Sequence, residues 1–289
     1  MKPPVFDYIV PSSVDEALSV LAELGDAAKV LAGGQSLVPM MNFRLVRPPH
    51  LIDLNGLVEL AGITRENGHL VIGAMTRQRA VERSALVREL CPLLAEAMPQ
   101  IGHAQTRNRG TVGGSLAHSD PAAEIPAVVA ALGGTLVVRN AKGTRSLSSD
   151  QFFTGYLSTA LEPDELLVGM RLPVGAPRTG HAFIEVSRRH GDFALVGVAA
   201  VITLDAGGVC PHAAVALTGV GPTPVVARNA VRVLIGEKPA PPVFEEVGRR
   251  VSASLDPDSD LHASSDYRKH LAGVLTRRAL ARAAERAAG

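Results

Sequence analysis

The hydrophobic positions at the start of the chain alternate between two periods. Val14, Ala17, Leu18 and Leu21 recur at helical spacing behind Ser13 as N-cap, with Glu16 placed as in a capping box and Gly25 as the stop. The stretch 28–31 reads as a strand running into Ala32-Gly33-Gly34-Gln35-Ser36, after which Ser36 is positioned to cap a short helix over 37–43. Strands are expected at 51–54 and 70–74, a helix from Thr76 to about Leu90, and another from Pro92. Past Thr111-Val112-Gly113-Gly114-Ser115, the pair Asp120-Pro121 has the form of an N-cap followed by proline, leading a helix over 122–132 that Gly133-Gly134 ends. Strands follow at 135–139 and 166–172, and 174–180 reads as a linker.

Beyond residue 180 the pattern changes. The stretches 194–204 and 213–218 are rich in β-formers and flank a Gly207-Gly208 turn, which suggests a separate sheet. Helices are expected over 225–235, 243–255 and 267–288. The last is basic, with Leu271, Val274 and Leu275 on one face, and its arginines and lysine read as a solvated face.

At 289 residues and 46% hydrophobic content, the chain can fill the cores of about two domains. Its 29 basic and 28 acidic residues leave a formal charge of +1, which gives no electrostatic reason to expect nucleic acid or an anionic membrane as partner. The N-terminus has no apolar stretch of signal-peptide length, and no segment approaches the roughly 18 apolar residues of a membrane span. A cytoplasmic protein is expected. Cys91 and Cys210 are too few and too far apart to ligate an iron–sulfur cluster, and a disulfide between them is not expected. The nine histidines lack metal-ligand spacing.

The two glycine pairs carry the chemistry. Each follows a defined segment and ends in a hydroxyl residue, so that backbone N–H groups can approach an anion with no side chain in the way. Either pair alone is an ordinary turn; together they favour a diphosphate ligand. Neither is a Walker loop or the G-x-G-x-x-G turn of a dinucleotide-binding fold. Nothing resembles a nucleophile elbow. Glu124, close to His118 and Asp120, is either part of a helix cap or an acceptor for a ribose hydroxyl. Phe193, in Arg189-His190-Gly191-Asp192-Phe193-Ala194, either fills the core or lies against a planar ring.

Over essentially its whole length the chain resembles the flavoprotein (medium) subunits of the molybdenum hydroxylases, the group that contains aerobic carbon monoxide dehydrogenase and xanthine dehydrogenase. The resemblance rests on the A-G-G-x-S-L loop ending at Leu37 with the following Pro39 to Leu45. It rests also on Arg107-Asn108-Arg109-Gly110-Thr111 with the second glycine pair, on the 189–194 stretch, and on Asp266-Tyr267-Arg268-Lys269-His270-Leu271. It implies an α+β fold: a FAD-binding fold of the vanillyl-alcohol oxidase type in two subdomains, 1–57 and 58–176, and a C-terminal domain, 177–289, with a three-stranded sheet. It implies non-covalent FAD, with Ala32, Gly33, Gly34, Gln35, Ser36 and Leu37 and then Thr111, Val112, Gly113, Gly114 and Ser115 at the pyrophosphate. Glu124 would face the ribose, where relatives carry Asp, and Phe193 would approach the isoalloxazine, where relatives often carry Tyr.

Ser115 stands where relatives commonly have Asn or Asp, and Phe193 lacks a phenol hydroxyl. Gln35 occupies a loop in which some enzymes of the wider fold use a histidine to bond the flavin covalently; an amide does not. The family's division of labour implies a large subunit with a molybdenum–pterin cofactor, a small subunit with two [2Fe–2S] clusters, and this chain passing electrons from those clusters through FAD to an external acceptor. A dimer of heterotrimers is expected, with no catalytic residue in this chain. A free-standing FAD oxidoreductase of the same fold is the alternative.

Overall fold

The computed structural model describes residues 2–289. The first sheet is parallel, in the order Asp7–Ile9, His50–Asp53, Ala28–Leu31. The helix Val14–Leu24 buries its predicted stripe of Val14, Ala17, Leu18 and Leu21 in a core shared with Ile52, Leu54 and Leu57. Its capping differs from expectation. Ser13 Oγ accepts from Glu16 N (3.1 Å), but the Glu16 carboxylate turns back to Ser12 N (2.7 Å). The two glycine segments lie beyond the C-terminal ends of this sheet and of strand His69–Gly73.

The second sheet is antiparallel, in the order Ile63–Glu66, His69–Gly73, Leu166–Pro173, Thr135–Asn140, Gly143–Ser148. The third is antiparallel, in the order Thr179–Ser187, Ala194–Thr203, His212–Thr218, Val225–Val226. The strand Ala194–Thr203 is buried on both faces: Ala199 and Val201 join the core of the second sheet, and Val198, Ala200 and Ile202 face the C-terminal helices. Those helices, Pro241–Ser254 and Ser265–Ala288, cross where Gly248 meets Gly273 closely enough that a side chain on Gly248 would come within 2.6 Å of the Gly273 carbonyl oxygen.

Several local expectations are corrected. The helix anticipated from Thr76 to Leu90 is two, Gln78–Arg83 and Ala85–Leu90, because Ser84 breaks the first and caps the second through Val87 N (3.2 Å). Asp120 does not cap the next helix. It accepts from Ala122 N (2.8 Å) in a turn, and the helix is Glu124–Leu132. Thr218 holds that turn, donating to the carbonyls of Pro121 (2.6 Å) and Ala123 (3.0 Å), so the third sheet sets where the helix starts.

The expected helix over 225–235 begins as the fourth strand, which adds to the three-stranded sheet anticipated, and is helical only over Arg228–Val231 with a tighter turn at Arg232–Leu234. The 174–180 stretch is not free chain throughout. Thr179 and Gly180 already pair with Thr203 and Ile202, and a side chain on Gly180 would overlap the backbone of Ala283 and Ala287. The basic helix is not simply solvated. Arg268 is buried and donates to the carbonyls of Leu195 (2.6 Å) and Gly219 (2.9 Å) and to Asp260, and Arg286 binds Glu96 and the His181 carbonyl.

Candidate cofactor site

The strand Ala28–Leu31 ends in a turn that Gly34 makes possible, at φ +73°. Among the described residues, the backbone N–H groups of Gly33, Gly34, Gln35 and Ser36 donate to no protein acceptor. Four successive free donors around a left-handed residue form a concavity suited to an anion. Ser36 is itself in the right-handed helical region and makes no capping bond to the helix Leu37–Asn42, in contrast to the expected cap. Gln35 Nε2 donates to the Gly33 carbonyl (3.1 Å), bracing the turn from within.

The second glycine pair is used differently. Thr111 caps the helix Val112–His118 by accepting from Gly114 N (3.0 Å). Val112 N donates to Thr76 O (3.0 Å), Gly113 N to Ala74 O (2.8 Å) and Ser115 N to Thr111 O (3.2 Å). All four N–H groups are therefore taken, and what the glycines provide is closeness. A side chain on Gly113 would sit 2.8 Å from the Ala74 backbone, and one on Gly114 would lie 3.6 Å from Ala32 Cβ. A side chain on Gly33 would come within 2.8 Å of Gly110 Cα and overlap the Arg109 carbonyl. The two segments, 78 residues apart between Gly33 and Thr111 (111 less 33), are in direct contact.

A polar bridge that carries no sequence motif joins them. Asn55 Nδ2 donates to the Ala32 carbonyl (2.9 Å) and to Asp53, while Asn55 Oδ1 accepts from Arg77 (2.6 Å). The other guanidinium nitrogen of Arg77 donates to the Arg109 carbonyl (2.5 Å). Asp53 also accepts from Asn55 N (2.9 Å) and from the Tyr8 hydroxyl. Burial opposes the charge on Asp53, yet the hydrogen bonds from Tyr8 and Asn55 and the nearby Arg109 hold its carboxyl below the usual range. Burial and the neighbouring Arg109 charge lower Arg77. Arg107, on the helix Ala104–Arg109, is fixed by Glu82 (2.8 Å) and the Ile101 carbonyl (2.8 Å).

Glu124 is the first residue of its helix and only 7% exposed, with no side-chain partner among the described residues. Burial, aided by Asp120 and opposed by the helix N–H and Arg107, pushes its carboxyl up to about 7. Glu185, on the strand Thr179–Ser187, is raised to about 8 by burial and by facing Glu124, and its Oε2 is buried without a partner. Phe193 is 71% exposed, so the reading in which it fills the core is overturned. The strand buries its residues only from Ala194, and the turn before it folds over His103, whose ring a side chain on Gly191 would overlap. His118 and Asp120 stand 4.0 Å apart.

This arrangement can hold an anionic, extended ligand across two touching glycine segments. The model for the FAD binding domain in molybdopterin dehydrogenase matches residues 4–175, and that for the CO dehydrogenase flavoprotein C-terminal domain matches 181–283. The chain belongs to the family of FAD-binding medium subunits of the molybdenum hydroxylases.

Among its relatives, the caffeine dehydrogenase subunit beta of Pseudomonas sp. (strain CBB1) is 42% identical over 99% of this chain and 97% of its own length. The 6-hydroxypseudooxynicotine dehydrogenase complex subunit alpha of Paenarthrobacter nicotinovorans is 40% identical over the same shares. The solved carbon monoxide dehydrogenase of Hydrogenophaga pseudoflava, in a form lacking the Mo-pyranopterin moiety of its molybdenum cofactor, matches with a TM-score of 0.96 and 41% identity, over 99% of each chain. No helix among the described residues is long and apolar enough to cross a membrane.

Proposed function

We propose that this chain is the flavin subunit of a multi-subunit molybdenum hydroxylase, binding FAD non-covalently and relaying electrons from a partner's [2Fe–2S] clusters to an external acceptor. The observation that carries the reading is the row of free N–H groups at Gly33, Gly34, Gln35 and Ser36, closed by contact with the second glycine segment. Those donors suit the pyrophosphate. FAD, when bound, supplies one- and two-electron chemistry. The remaining work of the chain is positional.

Thr111 to Ser115 would form the opposite wall, with the Ser115 hydroxyl, free of protein partners, as the side-chain donor. Glu124 would accept from the ribose, and Phe193 would present an exposed ring to the flavin plane. Gln35, tied to the Gly33 carbonyl, offers no nucleophile for a covalent link. The proposed units are the FAD-binding subdomains 1–57 and 58–176 and the C-terminal domain 177–289. A large molybdenum–pterin subunit, a small iron–sulfur subunit, pairing into a dimer of heterotrimers and a cytoplasmic location complete the proposal.

The test is metal and flavin analysis of the tagged chain purified with its bound partners. FAD, iron and molybdenum in constant proportion across a gel-filtration peak are expected. A flavoprotein carrying neither metal would contradict the complex and favour a free-standing FAD oxidoreductase.

A further inference from the structure

We propose that Asn55 and Arg77 are positioning residues that fix the gap between the two glycine segments and thereby the rate at which FAD leaves. The proposal rests on the reading of those segments as the FAD site. The contact of Gly33 with Arg109 and Gly110 sets how near the segments can come. Only a tie that spans them limits how far they can part, and one runs unbroken from the Ala32 carbonyl through Asn55 and Arg77 to the Arg109 carbonyl.

Each member is oriented independently. Asp53 Oδ1 takes both the backbone and side-chain N–H of Asn55, which leaves Asn55 Oδ1 to face Arg77. The backbone around Arg77 is bridged to the second segment, through the pairing of Arg77 with Thr111 and the bond from Gln78 N to Gly110 O (2.9 Å). Tyr8 extends the tie to the strand Asp7–Ile9 by donating to Asp53. Arginine suits the bridging role because its fork reaches two acceptors at once, which the point charge of lysine does not. Members of one hydrogen-bonded chain lose their effect together when any link is cut.

The experiment measures FAD dissociation from the full-length chain by recovery of flavin fluorescence, alongside the thermal midpoint of the FAD-free protein. Arg77→Lys breaks one link. Asn55→Ser removes the donor to Ala32 and the acceptor for Arg77 without placing a second carboxylate against Asp53. Each is expected to speed FAD release about tenfold, the scale of one lost hydrogen bond, while the FAD-free midpoint stays near that of the unsubstituted chain. The double variant should release FAD little faster than either single one. Tyr8→Phe, which leaves the tie intact and removes an outer support, should give a smaller acceleration and carries the test together with Asn55→Ser if Arg77→Lys fails to fold. Unchanged release, or single effects that multiply in the double variant, would overturn the positioning role. An unsubstituted chain that binds no FAD would instead overturn the assignment of the site.

Discussion

Gly33 lies against the backbone of Arg109 so closely that even one methyl group has no room between them. The contact joins the end of the parallel sheet to the segment leading into the second glycine pair. Because the neighbour is main chain, it has no rotamer by which to yield. Gly33→Ala is therefore expected to destabilise the protein by about 2 kcal/mol or more and to weaken flavin binding, measured by thermal unfolding and by FAD titration. Gly56→Ala, where the added methyl meets nothing within 4 Å, should stay within about 0.5 kcal/mol and serves as the control.

Gly114 offers a second, independent probe. A side chain there would come within 2.7 Å of Thr111 Oγ1, the atom that caps the helix Val112–His118. Gly114→Ala should cost about 1 kcal/mol of stability through the displaced cap. Thr111→Val, which removes the same acceptor without adding bulk at Gly114, should cost a similar amount. Chemical denaturation compares the two.

Glu185 and Glu124 give the protein a pH dependence of definite sign. Both carboxyls are raised in the folded chain, to about 8 and about 7, largely by burial. The folded state thus holds more protons than the unfolded state between the ordinary carboxylate range and about pH 8, and stability falls as pH rises across that window. Glu185→Gln removes one of the two charges and relieves the repulsion on Glu124. It should raise the thermal midpoint at pH 8 by about 2 kcal/mol of equivalent stability, change it far less at pH 5, and flatten the profile.

Phe193 should separate folding from flavin environment. At 71% exposed it contributes little to the core, so Phe193→Ala should alter stability by less than about 0.5 kcal/mol. If its ring lies on the flavin, as proposed, the same substitution shifts the visible absorption bands of the bound cofactor. Calorimetry and absorption on one sample read both effects.

What the sequence disclosed follows from how local each signal was. The stripe of the first helix was legible because its periodicity is carried by neighbouring residues, and the strand into Gly33-Gly34 and the strands 70–74 and 194–204 because each is a short run of β-formers bounded by turn residues. The start of the helix at Glu124 was not, because Thr218, nearly a hundred residues away, holds the preceding turn. The equivalence drawn between the two glycine pairs also failed in part. Both bring backbone close to backbone, but only the first leaves its N–H groups free, and that depends on the carbonyls of Ala74 and Thr76 meeting the second. The tie through Asn55 and Arg77 was invisible for the same reason: two common polar residues, 22 positions apart (77 less 55), acquire meaning only when the sheets bring their partners together.

The most direct test of the account is the visible absorption spectrum of the purified chain, followed by acid precipitation and chromatography of the supernatant. The account predicts a two-banded flavin spectrum, close to one FAD per chain, and all of the FAD released into the supernatant. A colourless protein that takes up no added FAD would contradict the site built on Gly33 to Ser36. Yellow colour retained in the pellet would contradict non-covalent binding and the role given to Gln35.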